Sequence, residues 1–238
     1  PLHHARGPCE AAAKCDEQDK VASLQATRSR GFVQRDNHGG CGCVSILVEI
    51  HKILIGTTAQ PFADCLHNEH MFAQSMLAAQ GATEVEKTRL INESIYYLVL
   101  HEMGHTMGLM HNMKASQLHT PAELADPNLT YKTGLIGSVM DYPAINLNKN
   151  KTNVQYCQTE PGPYDLWAIE YGYSQAVNDD IAEAARLKAI LEKCIEPKLT
   201  FGNDADDMRS PGKGIDPRVM INDLSSDAVG YGIERIEM

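Results

Sequence analysis

The sequence predicts an α+β protein built from two halves of different character. Residues 43–57, which read CVSILVEIHKILIGT, are rich in β-branched and apolar side chains, a composition typical of one or two β-strands. Residues 84–108 carry apolar side chains at helical spacing, and residues 112–160 are dense in Asn, Thr, Pro and Lys. We therefore expect a small sheet and a long helix in an N-terminal subdomain, residues 1–108, and a loop-rich, helical C-terminal subdomain, residues 109–238.

The composition excludes several classes of protein. The 238 residues include 21 Lys and Arg against 31 Asp and Glu, a net charge of −10, which argues against a nucleic-acid partner because phosphate binding needs a basic surface. A hydrophobic fraction of 43% is sufficient for a buried core. No apolar run approaches the ~18 residues of a membrane-spanning helix. The chain opens without the basic and apolar segments of a signal peptide, and we expect it to be a processed form or a fragment.

The cysteine content leaves two interpretations open. An oxidising compartment would allow up to three disulfide bridges and one remaining thiol, whereas a reducing compartment would leave most of these side chains as small buried hydrophobic groups. We expect at least one bridge, with no pairing assigned. The seven cysteines are Cys9, Cys15, Cys41, Cys43, Cys65, Cys157 and Cys194.

Two helices are predicted between the strand region and residue 108. The first runs from Phe62 to Ala79, after Pro61. The second begins after Thr83, because a threonine followed three residues later by Glu86 is the capping box that starts many helices, and it should end near Gly108. The apolar side chains that we expect on its buried face are Leu90, Ile91, Ile95, Leu98, Val99 and Met103.

Three further helices are predicted in the second half. Pro163 can start a helix that stops near Gly172, and Asn178 or Asp179 caps another that Pro197 ends. A third helix is predicted over residues 223–238. The expected packing stripe of the middle helix is Ala184, Leu187, Leu191 and Ile195.

The end of the long helix carries the residue types of a metal site. Residues 101–111 read HEMGHTMGLMH. His101 and His105 are four residues apart, so a helix places both imidazoles on one face, about 6 Å apart along the axis at ~1.5 Å per residue. Glu102 projects beside this pair, where its carboxylate can reach a water molecule on the metal.

Gly108 and His111 complete the pattern. A glycine can leave a helix through a sharp, left-handed turn, and such a turn brings His111 back as a third nitrogen ligand. A helix continued through His111 would place this imidazole on a different face. Three histidines with one open position are typical of catalytic zinc, whereas structural zinc has four protein ligands. The alternative, that these are ordinary helix-surface histidines, does not explain their spacing.

The histidines, the glutamate and the glycine of this segment match the extended zinc motif of the metzincins, so the sequence resembles a metzincin metallopeptidase. A second segment, SVMDYP, resembles the methionine turn that lies beneath the zinc in that family, with Met140 as its methionine. Tyr142 matches the tyrosine that astacin-like and serralysin-like members use as an extra zinc ligand and transition-state donor. The resemblance implies an active-site helix and a small sheet above a zinc cleft, with a loop-rich helical subdomain below.

This resemblance implies a zinc-dependent endopeptidase that acts on peptides or proteins. Zinc would activate a water molecule, Glu102 would act as the general base, and Tyr142 would stabilise the oxyanion. We expect the substrate to pair with an edge strand within residues 43–57. Asn112 follows the third histidine where some metzincin groups carry an acidic residue, so the partner that orients His111 is not identified from the sequence.

A narrower resemblance concerns cellular location. The strings HEMGHTMGLMHN, SVMDYP and GPYDLWAIEYGY are similar to the catalytic region of large exported bacterial zinc-dependent metalloproteases. Together they cover roughly residues 101–173. This similarity implies an extracytoplasmic protein, whether secreted, periplasmic or on the cell surface.

Two other functions and one other metal remain open. The chain could be an inactive zinc-holding binding or scaffold module, although such a module has no use for Glu102, or a zinc amidase of non-peptide substrates. Asp204, Asp206 and Asp207 offer oxygen ligands suited to calcium, but they lack the Gly and terminal Glu of an EF-hand loop, and the composition favours a solvated turn.

Overall fold

The computed structural model describes residues 60–150, 153–206 and 216–238, with side chains from residue 68 onward. These parts of the chain are mainly helical and contain no β-strand. The α-helices are α1 (Gln60–Ala79), α2 (Glu84–Thr106), α3 (Pro121–Leu124), α4 (Pro127–Thr133), α5 (Pro163–Tyr173), α6 (Asp180–Leu191) and α7 (Ala228–Glu237). Short 3-10 helices cover Ala115–Leu118, Glu192–Ile195 and Pro197–Leu199.

The capping box predicted for α2 is confirmed. The Thr83 side chain accepts a hydrogen bond from the backbone N–H of Glu86, and the Glu86 carboxylate accepts one from the backbone N–H of Thr83 at 2.7 Å. Both bonds satisfy N–H groups that the first helical turn leaves without a carbonyl partner. Gly81, with φ of 69°, makes the turn from α1 into this cap, where a left-handed backbone favours glycine. The start of the long helix is therefore determined locally.

The predicted buried face of α2 is wrong for four of its six side chains. Ile91, Ile95, Val99 and Met103 are exposed, and Leu90 is buried. The inward face instead carries polar side chains, because they bind the backbone of later segments. Glu93, for example, accepts hydrogen bonds from the backbone N–H groups of residues 156 and 157. The residues of α2 that are buried are Leu90, Glu93, Ser94, Tyr97, His101 and Gly104.

Two apolar clusters form the core of the described chain. The first joins α1 and α2 to the segment that follows α4, and its largest fully buried members include Leu77, Leu90, Ile136 and Tyr156. The second joins the exit of α2 to α5 and α6 through Leu109, Met140, Tyr164, Trp167 and Ile190. The C-terminal end of α2 lies between the two clusters, so its position is fixed from both sides.

The predicted bounds of α5 and the predicted start of α6 are confirmed, but α6 ends at Leu191 and a 3-10 helix continues to Ile195. Pro163 begins α5, and Asp179 caps α6 by accepting a hydrogen bond from the N–H of Ala182 at 2.7 Å. The stripe predicted for α6 is wrong at Ala184, which is exposed, and at Ile195, which is 70% exposed because the chain changes to a 3-10 helix at Glu192 and rotates this side chain outward. The buried residue is Ile190.

Several predictions fall outside the described residues. The strands expected in residues 43–57 are among them, so the small sheet is not confirmed, and the division at residue 108 stays a prediction. The cysteines at positions 9, 15, 41, 43 and 65 also lie outside the described side chains, whereas Cys157 is a buried free thiol. In the part of the chain that the structure describes, no helix combines the length and the apolar character needed to cross a membrane.

Candidate metal centre

The exit from α2 is a glycine-dependent turn. Gly108 has a φ of 83°, in the left-handed region that the sequence predicted for it. The N–H of Gly108 donates to the carbonyl of His105, and the N–H of Leu109 donates to the carbonyl of Gly104 at 3.0 Å. This pair of bonds is the Schellman motif, which ends a helix and reverses the chain. The reversal carries His111 back towards the last turn of α2.

The structure brings His101, His105 and His111 together. One ring nitrogen from each lies within 4.8 Å of those of the other two. The ring centroids of His101 and His105 are 4.8 Å apart, and that of His111 lies 4.8 Å from His105 and 5.5 Å from His101. Among the described residues, these three form the one group of histidine, cysteine and acidic side chains that could hold a metal ion. Their convergence is the main feature of the site.

Each of the three imidazoles is oriented by a hydrogen bond at its Nδ1 atom. His101 donates to the backbone carbonyl of Val139 at 2.8 Å, and His105 donates to that of Leu109 at 3.1 Å.

His111 donates to the carboxylate of Asp204 at 2.8 Å. Since all three acceptors are oxygens without a hydrogen, each neutral ring has its proton on Nδ1 and its lone pair on Nε2. The three Nε2 atoms therefore provide the nitrogen ligands that zinc prefers, and the donor set fits this metal.

Burial favours the neutral forms of His101 and His105. Burial lowers the pKa of His101 to about 3, and the neighbouring His105 adds to this shift. Burial also lowers the pKa of His105, against an opposing effect of its bond to Leu109. Neutral imidazoles are the form that binds metal ions. Burial raises the pKa of the Glu102 carboxyl, and the charge of His111 partly opposes this increase.

Met140 packs directly against the last turns of α2. Its side chain is fully buried, and a Cβ atom added to Gly104 would overlap the sulfur atom of Met140. The turn that carries Met140 is held by Asp165 in the first turn of α5, which accepts hydrogen bonds from the Ser138 hydroxyl at 2.5 Å and from the Val139 N–H at 2.8 Å. The same turn presents the Val139 carbonyl that orients His101, so α5 positions a histidine on α2.

Tyr142 lies over the histidine cluster. Its hydroxyl is 2.5 Å from Nε2 of His111, and its ring centroid lies 4.6 Å from that of His111. The backbone on its N-terminal side is fixed by Asp141, whose carboxylate accepts from the Tyr142 N–H at 2.6 Å and whose carbonyl accepts from the Tyr97 hydroxyl. The hydroxyl therefore reaches one of the nitrogen atoms that would bind a metal, Nε2 of His111.

Sequence reasoning assigned no role to Asp165 or Asp141 and considered Asp204 only as a calcium ligand, although all three position parts of the site. Asp165 had a local signal, because an acidic residue at the third position of a helix that begins with Gly-Pro is a capping pattern. Asp204 had none, since it is 93 residues from His111 in the chain.

Nothing in the described residues supports the calcium expectation. Asp204 binds His111, and Asp206 accepts a hydrogen bond from the backbone N–H of Asn203 at 3.1 Å, as in an ordinary turn. Asp207 lies outside the described residues.

The site combines three features. Two histidines lie at the end of a helix, a glycine turn returns a third histidine, and a buried methionine packs against the helix. Together they define the class of proteins with a candidate three-histidine metal centre. Within this class, the chain belongs to the Met-zincin family, whose model matches residues 83–238, from the cap of α2 to the last residue. This match confirms the resemblance to the metzincins. No curated protein and no solved structure matches the chain.

Proposed function

We propose that the protein is a zinc-dependent endopeptidase in which His101, His105 and His111 hold one zinc ion. The observation that carries this proposal is the convergence of three ring nitrogens within 4.8 Å, with each Nδ1 bound to an oxygen, so that Nε2 is the atom each ring can offer to a metal. Membership of the Met-zincin family supports the choice of zinc and of peptide hydrolysis. Three protein ligands leave an open position for water and substrate, as in catalytic zinc sites.

Glu102 acts as the general base in this proposal. Zinc at such a site supplies Lewis acidity, which polarises the scissile carbonyl and makes water a stronger acid. Glu102 follows His101 on α2, and its carboxyl lies in the field of His111. It accepts the proton of the attacking water and transfers it to the nitrogen of the leaving amine, so that one carboxylate serves both halves of the reaction.

Tyr142 and Met140 have different roles. The Tyr142 hydroxyl, which lies beside the histidine nitrogens, donates a hydrogen bond to the oxyanion that develops on the scissile carbonyl. Met140 does not contact substrate. It supports the floor of the site from below α2, where its sulfur packs against Gly104.

The substrate is a peptide or a protein, and the resemblance to exported metalloproteases favours action outside the cytoplasm. Two other functions compete with this proposal. An inactive zinc-holding module would bind zinc without hydrolysis, and a zinc amidase would hydrolyse amides other than peptide bonds. Glu102 beside the histidines favours an active enzyme over an inactive module, because metal holding alone does not need this carboxylate.

The proposal is tested by hydrolysis of a denatured protein before and after metal removal. The purified chain should cleave the denatured protein, lose this activity when a chelator removes the metal, and recover it on addition of one equivalent of Zn²⁺. Hydrolysis that persists in the metal-free protein would reject the proposal. Zinc binding without any peptide cleavage would favour the inactive module or the amidase.

A further inference from the structure

The carboxylate that binds His111 comes from a distant, C-terminal segment of the chain. Nδ1 of His111 donates to Oδ2 of Asp204 at 2.8 Å, and the Asp204 side chain is 60% exposed while that of His111 is 21% exposed. The other two histidines donate to backbone carbonyls. His111 is therefore the one member of the described cluster whose ring is oriented by a charged side chain.

The segment that carries Asp204 is fixed independently of this contact. Asn112, which is fully buried next to His111, donates from its side chain to the carbonyl of Thr200 at 3.0 Å and accepts from the N–H of Gly202 at 3.1 Å. The N–H of Met113 donates to the carbonyl of Gly202 at 2.8 Å. These bonds join residues 112 and 113, just after the third histidine, to residues 200–202, and they place Asp204 two residues further on, beside the imidazole.

Close packing leaves this segment little freedom to shift. A Cβ atom on Gly202 would overlap a methyl group of Val219. Residues 203–206 then form a turn in which the Asp206 carboxylate accepts from the N–H of Asn203 and the Asn203 side chain accepts from the N–H of Ala205. None of these bonds involves the Asp204 side chain, so each of them can still form when that carboxylate is removed.

We propose that Asp204 is a positioning residue for the metal centre, one that fixes the tautomer and orientation of His111 and increases its strength as a ligand. This inference rests on the proposed zinc site. A carboxylate that accepts a hydrogen bond from Nδ1–H keeps the ring proton on Nδ1 and the lone pair on Nε2. Its negative charge also makes the imidazole a more basic ligand, which strengthens metal binding. Asn112 prepares this contact by anchoring the segment, whereas Asp204 provides the charge.

The test is the zinc dissociation constant, measured by competition with a chelator of known affinity. Asp204→Ala removes the acceptor and should weaken zinc binding about 10-fold to 100-fold. Asp204→Asn keeps an oxygen that can accept the same proton but loses the charge, so its loss should be smaller than that of the alanine variant. Asp180→Asn removes one negative charge from the exposed first turn of α6 and should leave zinc affinity unchanged. Circular dichroism checks that every variant is folded.

Three results separate this inference from the proposed function. An Asp204→Ala dissociation constant within twofold of the wild-type value, or an equal loss in Asp180→Asn, would overturn the role of Asp204 while the zinc site stands. Weakened zinc binding in a chain that hydrolyses no peptide would support Asp204 and reject the peptidase. A wild-type chain that binds no zinc would reject both.

Discussion

The three histidines differ in how far along the chain their Nδ1 partners lie. His105 binds a carbonyl 4 residues away, His101 binds one 38 residues away, and His111 binds a carboxylate 93 residues away. The spacing of the motif predicted which nitrogens converge and that Gly108 would turn the chain. It could not predict the two distant partners, because hydrogen bonds between remote segments leave no local pattern in a single sequence.

Glu102→Gln tests the general base at the scale of one residue. The amide keeps the size of the side chain but cannot accept the proton, so turnover should fall by about 10²-fold or more while zinc stays bound. The measurements are kcat on one peptide and zinc per chain. Glu84→Gln, at the exposed start of the same helix, is the matched control and should retain full activity. Full activity in Glu102→Gln would reject the proposed mechanism.

Tyr142→Phe tests the oxyanion donor. The substitution removes only the hydroxyl that lies beside His111, so kcat should fall on the order of 10-fold to 10³-fold with little change in KM, because the contact is made mainly in the transition state. Tyr96→Phe removes a hydroxyl from an exposed ring on α2 and should change neither constant. An unchanged kcat in Tyr142→Phe would remove the tyrosine from the mechanism and leave the roles of zinc and Glu102 in place.

At the scale of secondary structure, the contact between α2 and the Met140 turn determines how the site is assembled. A glycine inside a helix makes the helix less stable than an alanine would, by up to ~1 kcal/mol. The packing around Gly104 must offset this loss of helix stability. The absence of a Cβ lets the buried Met140 sulfur lie against the helix backbone. The glycine therefore permits α2 and the turn beneath it to approach closely.

Gly104→Ala should lower the free energy of unfolding. Overpacking against Met140 costs about 1–3 kcal/mol, which exceeds the gain of up to ~1 kcal/mol in helix propensity. Gly232→Ala in α7, where a Cβ has nothing within 4 Å, is the control and should increase stability instead. Denaturant unfolding of the two variants measures both effects. A Gly104→Ala variant more stable than the wild type would contradict the close contact.

The positions of the helices were largely predictable from the sequence, whereas the side chains that each helix buries were not. Capping residues such as Thr83 and Asp179 act within three residues of the helix start, and the sequence identified Thr83 and restricted the second cap to Asn178 or Asp179. The buried face of α2 was misassigned because apolar periodicity ignores polar side chains that find partners in the core. Glu93 is buried since two backbone N–H groups and the hydroxyl of Tyr131 bind its carboxylate. Only the folded chain shows these partners.

At the scale of the whole molecule, the histidines lie where two packed units meet. One apolar cluster holds the inward face of α2, and the other holds Met140 and the exit of the helix. The family match covers α2 and everything after it, which includes every residue assigned to the site. The small sheet was expected in residues 43–57, which lie outside the described part of the chain, so it stays a prediction.

The central claim is that three histidines hold one catalytic zinc ion, and the zinc content of the purified chain tests it most directly. Elemental analysis after dialysis against Zn²⁺ should give one equivalent of zinc per chain. His105→Ala, which removes one of three ligands, should lose this zinc on the same dialysis, whereas His119→Ala, outside the cluster, should retain it. A wild-type chain that takes up no zinc, or a His105→Ala variant that keeps a full equivalent, would contradict the account.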